Sequence, residues 1–284
     1  MGGAKAVETA LVLQGDAGMM KFIQRLRRAT WTYRQALTHM PSVAGGPVSD
    51  LFVWKRSPAW RTFFDLTNMP GLYDDGLDST SRQKCCVRIF DSTGRQVAEH
   101  QYVPPLHGKM LLDISGLVSG TDDSIGTFGV FHSHTPASAS RLGCHLAERG
   151  YVSYRFRDAP LRSYVHGNLD AVSLNAAGGI EFLGGAGFRM REYRLQCELA
   201  VPGFYEITIV NPTGRTQKIV CKVLLASDGR QTGSETVCLP AGGCHIFNVK
   251  PVGQSSRVVI VSRLVMARPL IFRIENQRLD VFHG

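Results

Sequence analysis

The feature that most limits how this chain can fold is a repeat within it. Residues 86–114 (CVRIFDSTGRQVAEHQYVPPLHGKMLLDI) and 221–249 (CKVLLASDGRQTGSETVCLPAGGCHIFNV) align without a gap at an offset of 135. The alignment matches Cys86 to Cys221, Gly94-Arg95-Gln96 to Gly229-Arg230-Gln231, Pro105 to Pro240 and Gly108 to Gly243. Flanking pieces recur in the same order. FDLTN (64–68) answers ITIVN (207–211), and Val130 to Ser133 answers Val259 to Ser262. Ala159-Pro160-Leu161 with Leu169-Asp170 answers Arg268-Pro269-Leu270 with Leu279-Asp280. Self-similarity at a fixed offset implies one structural unit per copy. The repeat further predicts matching backbone at Gly94 and Gly229, and matching buried strand positions for Cys86 and Cys221.

Within each copy, short alternating runs are split by turn residues. Phe63 to Leu66, Val87 to Phe90, Tyr205 to Val210, Ile219 to Leu225 and Val258 to Val261 are such runs. Ser92-Thr93-Gly94 and Ser227-Asp228-Gly229 are the turns between them. This texture predicts an all-β sandwich or barrel. The expected fold is mainly β, with two tandem antiparallel β-sandwich domains related by the internal repeat, at 50–172 and 195–284. A Gly-rich connection, 173–194, joins them; its run 176–187 lacks the GK[ST] ending of a phosphate loop. Residues 1–49 form an N-terminal segment and linker. There Met19, Met20, Phe22, Ile23, Leu26 and Tyr33 recur near a helical period among Lys21, Arg25, Arg27, Arg28 and Arg34. That pattern predicts an amphipathic helix over 17–36, able to pack on its own domain or to touch an anionic membrane surface.

The second copy carries a resemblance. Ile209-Val210-Asn211, Val220 to Leu225, Asp228-Gly229, Leu239-Pro240, Phe247-Asn248-Val249 and Val259 to Ser262 resemble the small β-sandwich of the sensory-rhodopsin-transducer family. The resemblance implies a cytosolic sandwich that oligomerises and binds partners without catalysis. It assigns no functional residue, because the matching motifs are those of strands and turns.

Charge and cysteine content narrow the function. The formal net charge is +9 over 284 residues, yet the basic residues are dispersed and no DNA- or RNA-reading motif is present, so no specific nucleic-acid partner is expected. Seven cysteines, an odd number, occur without zinc spacing, and the opening residues lack the pattern of a secretory signal. Free thiols in the cytoplasm are therefore expected. There is no nucleophile elbow and no legible carboxylate pair.

Candidate site residues concentrate in material that the first copy has and the second lacks. Tyr154-Arg155-Phe156-Arg157 alternates aromatic and guanidinium groups, and Tyr164, His166 and Asn168 follow within a dozen residues. Aromatic faces stack on sugars, while Arg and Asn orient polar groups. Tyr154, Arg157, Tyr164, His166 and Asn168 are thus the expected ligand-binding residues. His132, His134 and His145, with Cys144, are weaker candidates for a metal, since no further ligand follows at a recognisable spacing. The function expected is non-catalytic binding of a carbohydrate-like or anionic ligand, or of a protein partner, without a cofactor and with homo-oligomerisation open. One alternative is an enzyme acting on a glycan or nucleotide-sugar, with His166 as acid or base and Arg157 as anion clamp. A further alternative is a structural assembly protein. Concavity separates them: an enzyme needs His166 inside a cleft, whereas a binder can use an open face.

Overall fold

A computed structural model describes residues 47–68, 84–105, 108–133, 147–148, 150–167, 170–175, 177–265 and 268–284. The helix expected at 17–36, and His134, Cys144, His145 and Asn168, lie outside the described residues. In chain order the strands begin β1 (Val48–Asp50), β2 (Phe52–Lys55), β3 (Trp60–Thr67), β4 (Cys85–Asp91), β5 (Gln96–Tyr102) and β6 (Lys109–Asp113). A single helical turn, α1 (Ile114–Leu117), follows, then β7 (Ile125–His132), β8 (Ala147–Glu148), β9 (Tyr151–Phe156), β10 (Ser163–His166) and β11 (Asp170–Leu174). Next come β12 (Ile180–Phe182), β13 (Ala186–Arg194), β14 (Phe204–Val210), β15 (Gln217–Leu225) and β16 (Gln231–Leu239). The chain ends with β17 (Cys244–Val249), β18 (Ser256–Leu264), β19 (Leu270–Glu275) and β20 (Arg278–His283).

These strands make five four-stranded sheets. Sheet I is ordered β13-β18-β15-β16, sheet II β17-β14-β19-β20 and sheet III β10-β9-β3-β6. Sheet IV is β2-β7-β4-β5, and sheet V is β12-β11-β1-β8. Successive side chains along each strand point to opposite faces of its sheet. In β3 the pattern is plain: Trp60, Thr62, Phe64 and Leu66 are buried, and Arg61, Phe63, Asp65 and Thr67 face outward.

The sheets pack face on face in succession. Ile219, Cys221 and Ile260 of sheet I meet Tyr205, Ile207 and Phe247 of sheet II in one core. The opposite face of sheet II sends Leu270 and Phe272 into the core of sheets III and IV, where the Phe272 ring lies 4.8 Å from Tyr154 and 5.4 Å from Trp60. Phe64 of sheet III stands 5.7 Å from Phe128 of sheet IV. Phe90 and Phe131 of sheet IV then pack with Val172 of sheet V.

This succession corrects the expected fold. The protein is mainly β, but its five four-stranded sheets have the arrangement of a five-bladed β-propeller rather than two tandem β-sandwich domains. The physical reason lies in sheet II. A sandwich sheet buries one face; in β19, Ile271 enters the sheet I–II core while Leu270 and Phe272 enter the neighbouring one. Residues 41–284 accordingly cluster as one compact unit.

The repeat survives as local structure. Gly94 and Gly229 both close hairpins with positive φ, +82° and +73°. The strands before them are displaced by one residue, however. Asp91 N bonds to Arg95 O in the first turn, whereas Leu225 N bonds to Arg230 O in the second, which makes that loop one residue longer. Because side chains alternate along a strand, this shift exchanges faces. Cys85, not Cys86, is the fully buried cysteine of β4, while Cys221 is buried in β15.

Candidate functional site

The outer face of sheet III assembles the densest set of polar and aromatic side chains in the inserted region. Four strands supply it in register. Phe63 of β3 stands opposite Asp113 on β6 and opposite Ser153 on β9, and Ser153 stands opposite Tyr164 on β10. One step along, Arg61 faces Arg155, and Arg162 directly precedes Ser163, the partner of Tyr154. Two residues the other way, Tyr151 pairs with His166.

The guanidinium groups gather over one ring. Arg61, Arg155 and Arg162 lie 5.4, 5.8 and 5.1 Å from the Phe63 centroid, and Arg162 lies 5.3 Å from that of Tyr164. Arg61 also pairs with Asp113. Arg155 and Arg162 have no carboxylate partner among the described residues, and Arg155 Nε and Arg162 Nη1 are buried without a hydrogen bond. Ser153 Oγ and Asp65 Oδ1 on the same face are likewise buried without one; the other Asp65 oxygen accepts from Lys109 Nζ at 3.2 Å. Buried polar groups normally find partners; these four atoms, beneath one face, have none among the described residues. Tyr151 and Tyr164 flank it, 56% and 45% exposed.

The expected site residues divide between this face and its surroundings. Tyr164 and His166 lie on it, both exposed. Arg157 lies just beyond, in the β9–β10 turn, exposed and at φ +53°. Tyr154 points the other way: it is fully buried and donates from its hydroxyl to Val53 O at 2.8 Å, and burial raises its phenol pKa. The alternation read along 154–157 holds, with Tyr154 and Phe156 inward and the arginines outward. Sequence reasoning passed over Arg61, Phe63 and Asp65. The signal was their spacing in WRTFFDLT, where every second residue is polar or aromatic on the outward side.

His166 stands at the rim of a cleft shared with Asp50, Thr208, Arg268 and His283. Its Nδ1 lies 2.5 Å from Gly167 O, and His283 Nε2 lies 2.9 Å from His166 O. Burial lowers the His283 pKa, which favours its neutral ring. The cleft holds about 70 Å³ of free space, room for a couple of waters and too little for a sugar ring. His132, a metal candidate, is buried with Nε2 2.7 Å from Glu148 Oε2, and among the described residues no three ligating side chains cluster. Beside sheet III, the tips of the β9–β10 and β19–β20 hairpins enclose a larger groove of about 690 Å³, lined by Arg157, Asp158, Arg162, Arg278 and Asp280 among others.

No protein-family model matches the chain, and no curated protein matches it. Among solved structures, a Parabacteroides merdae β-glucuronidase aligns over 87% of this chain and 28% of its own, at 14% identity and a TM-score of 0.16. A calcium-binding mutant of Bacteroides uniformis β-glucuronidase 2 aligns over 82% of this chain and 32% of its own, at 10% identity and a TM-score of 0.16. A β-glucuronidase of glycoside hydrolase family 2 aligns over 82% and 23%, at 12% identity and a TM-score of 0.15. This chain spans less than a third of each. Likeness at that level carries no argument for function.

Proposed function

We propose that this is a non-catalytic binding protein of the cytoplasm whose sheet III face takes an acidic, carbohydrate-like ligand. The observation that carries the reading is the row Arg61, Arg155 and Arg162 around Phe63. Like charges side by side weaken a sheet, and among the described residues only Arg61 of the three has a counter-ion. A ligand carboxylate or sulfate between the other two would supply the missing charge, and guanidinium forks bind such groups in paired hydrogen bonds.

The neighbouring groups favour a sugar as the carrier of that charge. Asp113, whose side chain is 30% exposed beside Arg61, can accept from a hydroxyl. Tyr151 and Tyr164 offer ring faces to a pyranose. A phosphodiester group brings acceptors only, whereas a sugar also brings hydroxyl donors. Binding rather than catalysis is supported by the open face and by the small volume beside His166. The cytoplasmic reading rests on the six described cysteines, all free. Burial pushes the Cys221 thiol up to about 12, and burial raises Cys85 and Cys244 still further, so these are inert thiols. Among the described residues no helix is long and apolar enough to cross a membrane.

Calorimetric titration with a uronic-acid disaccharide, its sulfated form and a neutral disaccharide tests the proposal. Heat from the acidic ligands and none from the neutral one supports it. Equal binding of the neutral disaccharide, or silence with all three, overturns it.

A further inference from the structure

The groove between the two hairpin tips is not needed by a single acidic sugar on sheet III, yet its chemistry is the same. Arg157, Arg162 and Arg278 line it. Of its two carboxylates, Asp280 lies 4.0 Å from Arg273, so its charge is partly answered from outside the groove. Arg162 belongs to both places: it lines the groove and reaches over the Phe63 and Tyr164 rings on the sheet face. The two anion-attracting regions are therefore continuous through one side chain.

Arg157 adds an independent observation. It adopts the left-handed backbone conformation at φ +53°, which a residue with a Cβ takes less readily than glycine. Its amide is held by Ala59 O at 2.7 Å. The turn thus keeps an exposed arginine where glycine or asparagine would be more stable, and such outliers gather at ligand-contacting positions. At about 690 Å³ the groove has the size of a site for a molecule of several rings.

We propose that the hairpin-tip groove is a second anion subsite, so that the ligand is a linear glycan with acidic groups on more than one of its sugars. The inference rests on the binding reading above and extends its site. One acidic group lies against Arg155 and Arg162 on the sheet, and the chain runs past Arg162 to place another between Arg157 and Arg278. Two linked contacts raise apparent affinity far beyond either one alone.

Heparin-derived disaccharide and octasaccharide, titrated at physiological salt, separate the subsites. The wild-type chain binds the octasaccharide at least tenfold tighter than the disaccharide. R157A/R278A loses that length advantage and keeps the disaccharide affinity, whereas R155A weakens both ligands. R194A/R230A, which removes the same charge from exposed positions on β13 and in the β15–β16 turn of sheet I, keeps the length advantage. A length advantage that survives R157A/R278A, or that falls equally in R194A/R230A, overturns the second subsite while leaving the sheet face standing. Failure of the wild-type chain to bind either heparin fragment overturns both. A single-stranded oligonucleotide that outcompetes the octasaccharide at both arginine pairs overturns the choice of glycan.

Discussion

Lys55 of β2 and Glu206 of β14 form an ion pair across the boundary between sheets IV and II, with side chains only 4% and 14% exposed. The Lys55 ammonium also sits 3.6 Å from the Trp60 ring and 4.5 Å from that of Phe272. Burial lowers the lysine pKa, and Glu206 opposes that shift by its charge and hydrogen bond. This pair fastens the two halves of the repeat together, and its loss would show how strongly they depend on each other.

Glu206→Gln should destabilise the protein by about 3 kcal/mol or more, because it strands a buried ammonium. Replacing both partners, as Lys55→Met with Glu206→Leu, should recover most of that loss. Urea unfolding of the two variants checks it. If the single variant matched the parent in midpoint, the pair would carry no structural weight.

Gly94 and Gly229 share a backbone conformation but not a neighbourhood. A Cβ at Gly94 would fall 2.0 Å from Ala241 O, while one at Gly229 would meet nothing within 4 Å. Gly229→Ala should therefore cost about 1 kcal/mol from left-handed strain alone, and Gly94→Ala several times as much, because backbone must move. Equal melting temperatures for the two variants would contradict this.

Asp91 braces the first of these turns. Burial raises its pKa, but bonds from Thr93 and Arg95 outweigh burial and hold it below the ordinary carboxylate range. A depressed folded value means that the stabilisation is complete above the unfolded pKa of about 3.9 and is lost as pH falls through the folded value. Asp91→Asn should thus flatten the fall in melting temperature as pH drops below about 4. A fall as steep as the parent's would show that other carboxylates govern the acid limb.

Local structure was largely legible in the sequence, and assembly was not. Alternation in β3 and the turn glycines are encoded within a few residues, so strands and hairpins could be read. Sheet IV instead joins β2, β7, β4 and β5 from distant parts of the chain, and no local pattern records such a pairing. One clue to the two-sided burial of sheet II was present: Leu270-Ile271-Phe272 is apolar without alternation, as a strand covered on both faces must be. The one-residue shift behind Cys86 was hidden because the sequence match is gapless while the loop lengths differ. Tyr164, His166 and Arg157 stood out in the sequence because aromatic and basic residues cluster there in a short stretch. Arg61 and Phe63 reach the same face only through strand pairing across some ninety residues of chain (Phe63 with Ser153).

Tyr154 and Tyr164 should separate cleanly by experiment. Tyr154→Phe leaves Val53 O unpaired in the core, costs about 1–3 kcal/mol and leaves glycan affinity unchanged. Tyr164→Ala removes an exposed ring, shifts stability by about 0.5 kcal/mol or less and weakens glycan binding. The reverse pattern would place the ligand on the inner side of the sheet.

The central claim, an arginine row on sheet III waiting for an acidic sugar, is tested most directly by one comparison. The affinity of a sulfated uronic-acid disaccharide is measured by calorimetry for the parent chain and for Arg155→Ala with Arg162→Ala. The double variant should lose at least tenfold in affinity, about 1.4 kcal/mol, while keeping the folded β spectrum. Undiminished affinity in a folded double variant would contradict it.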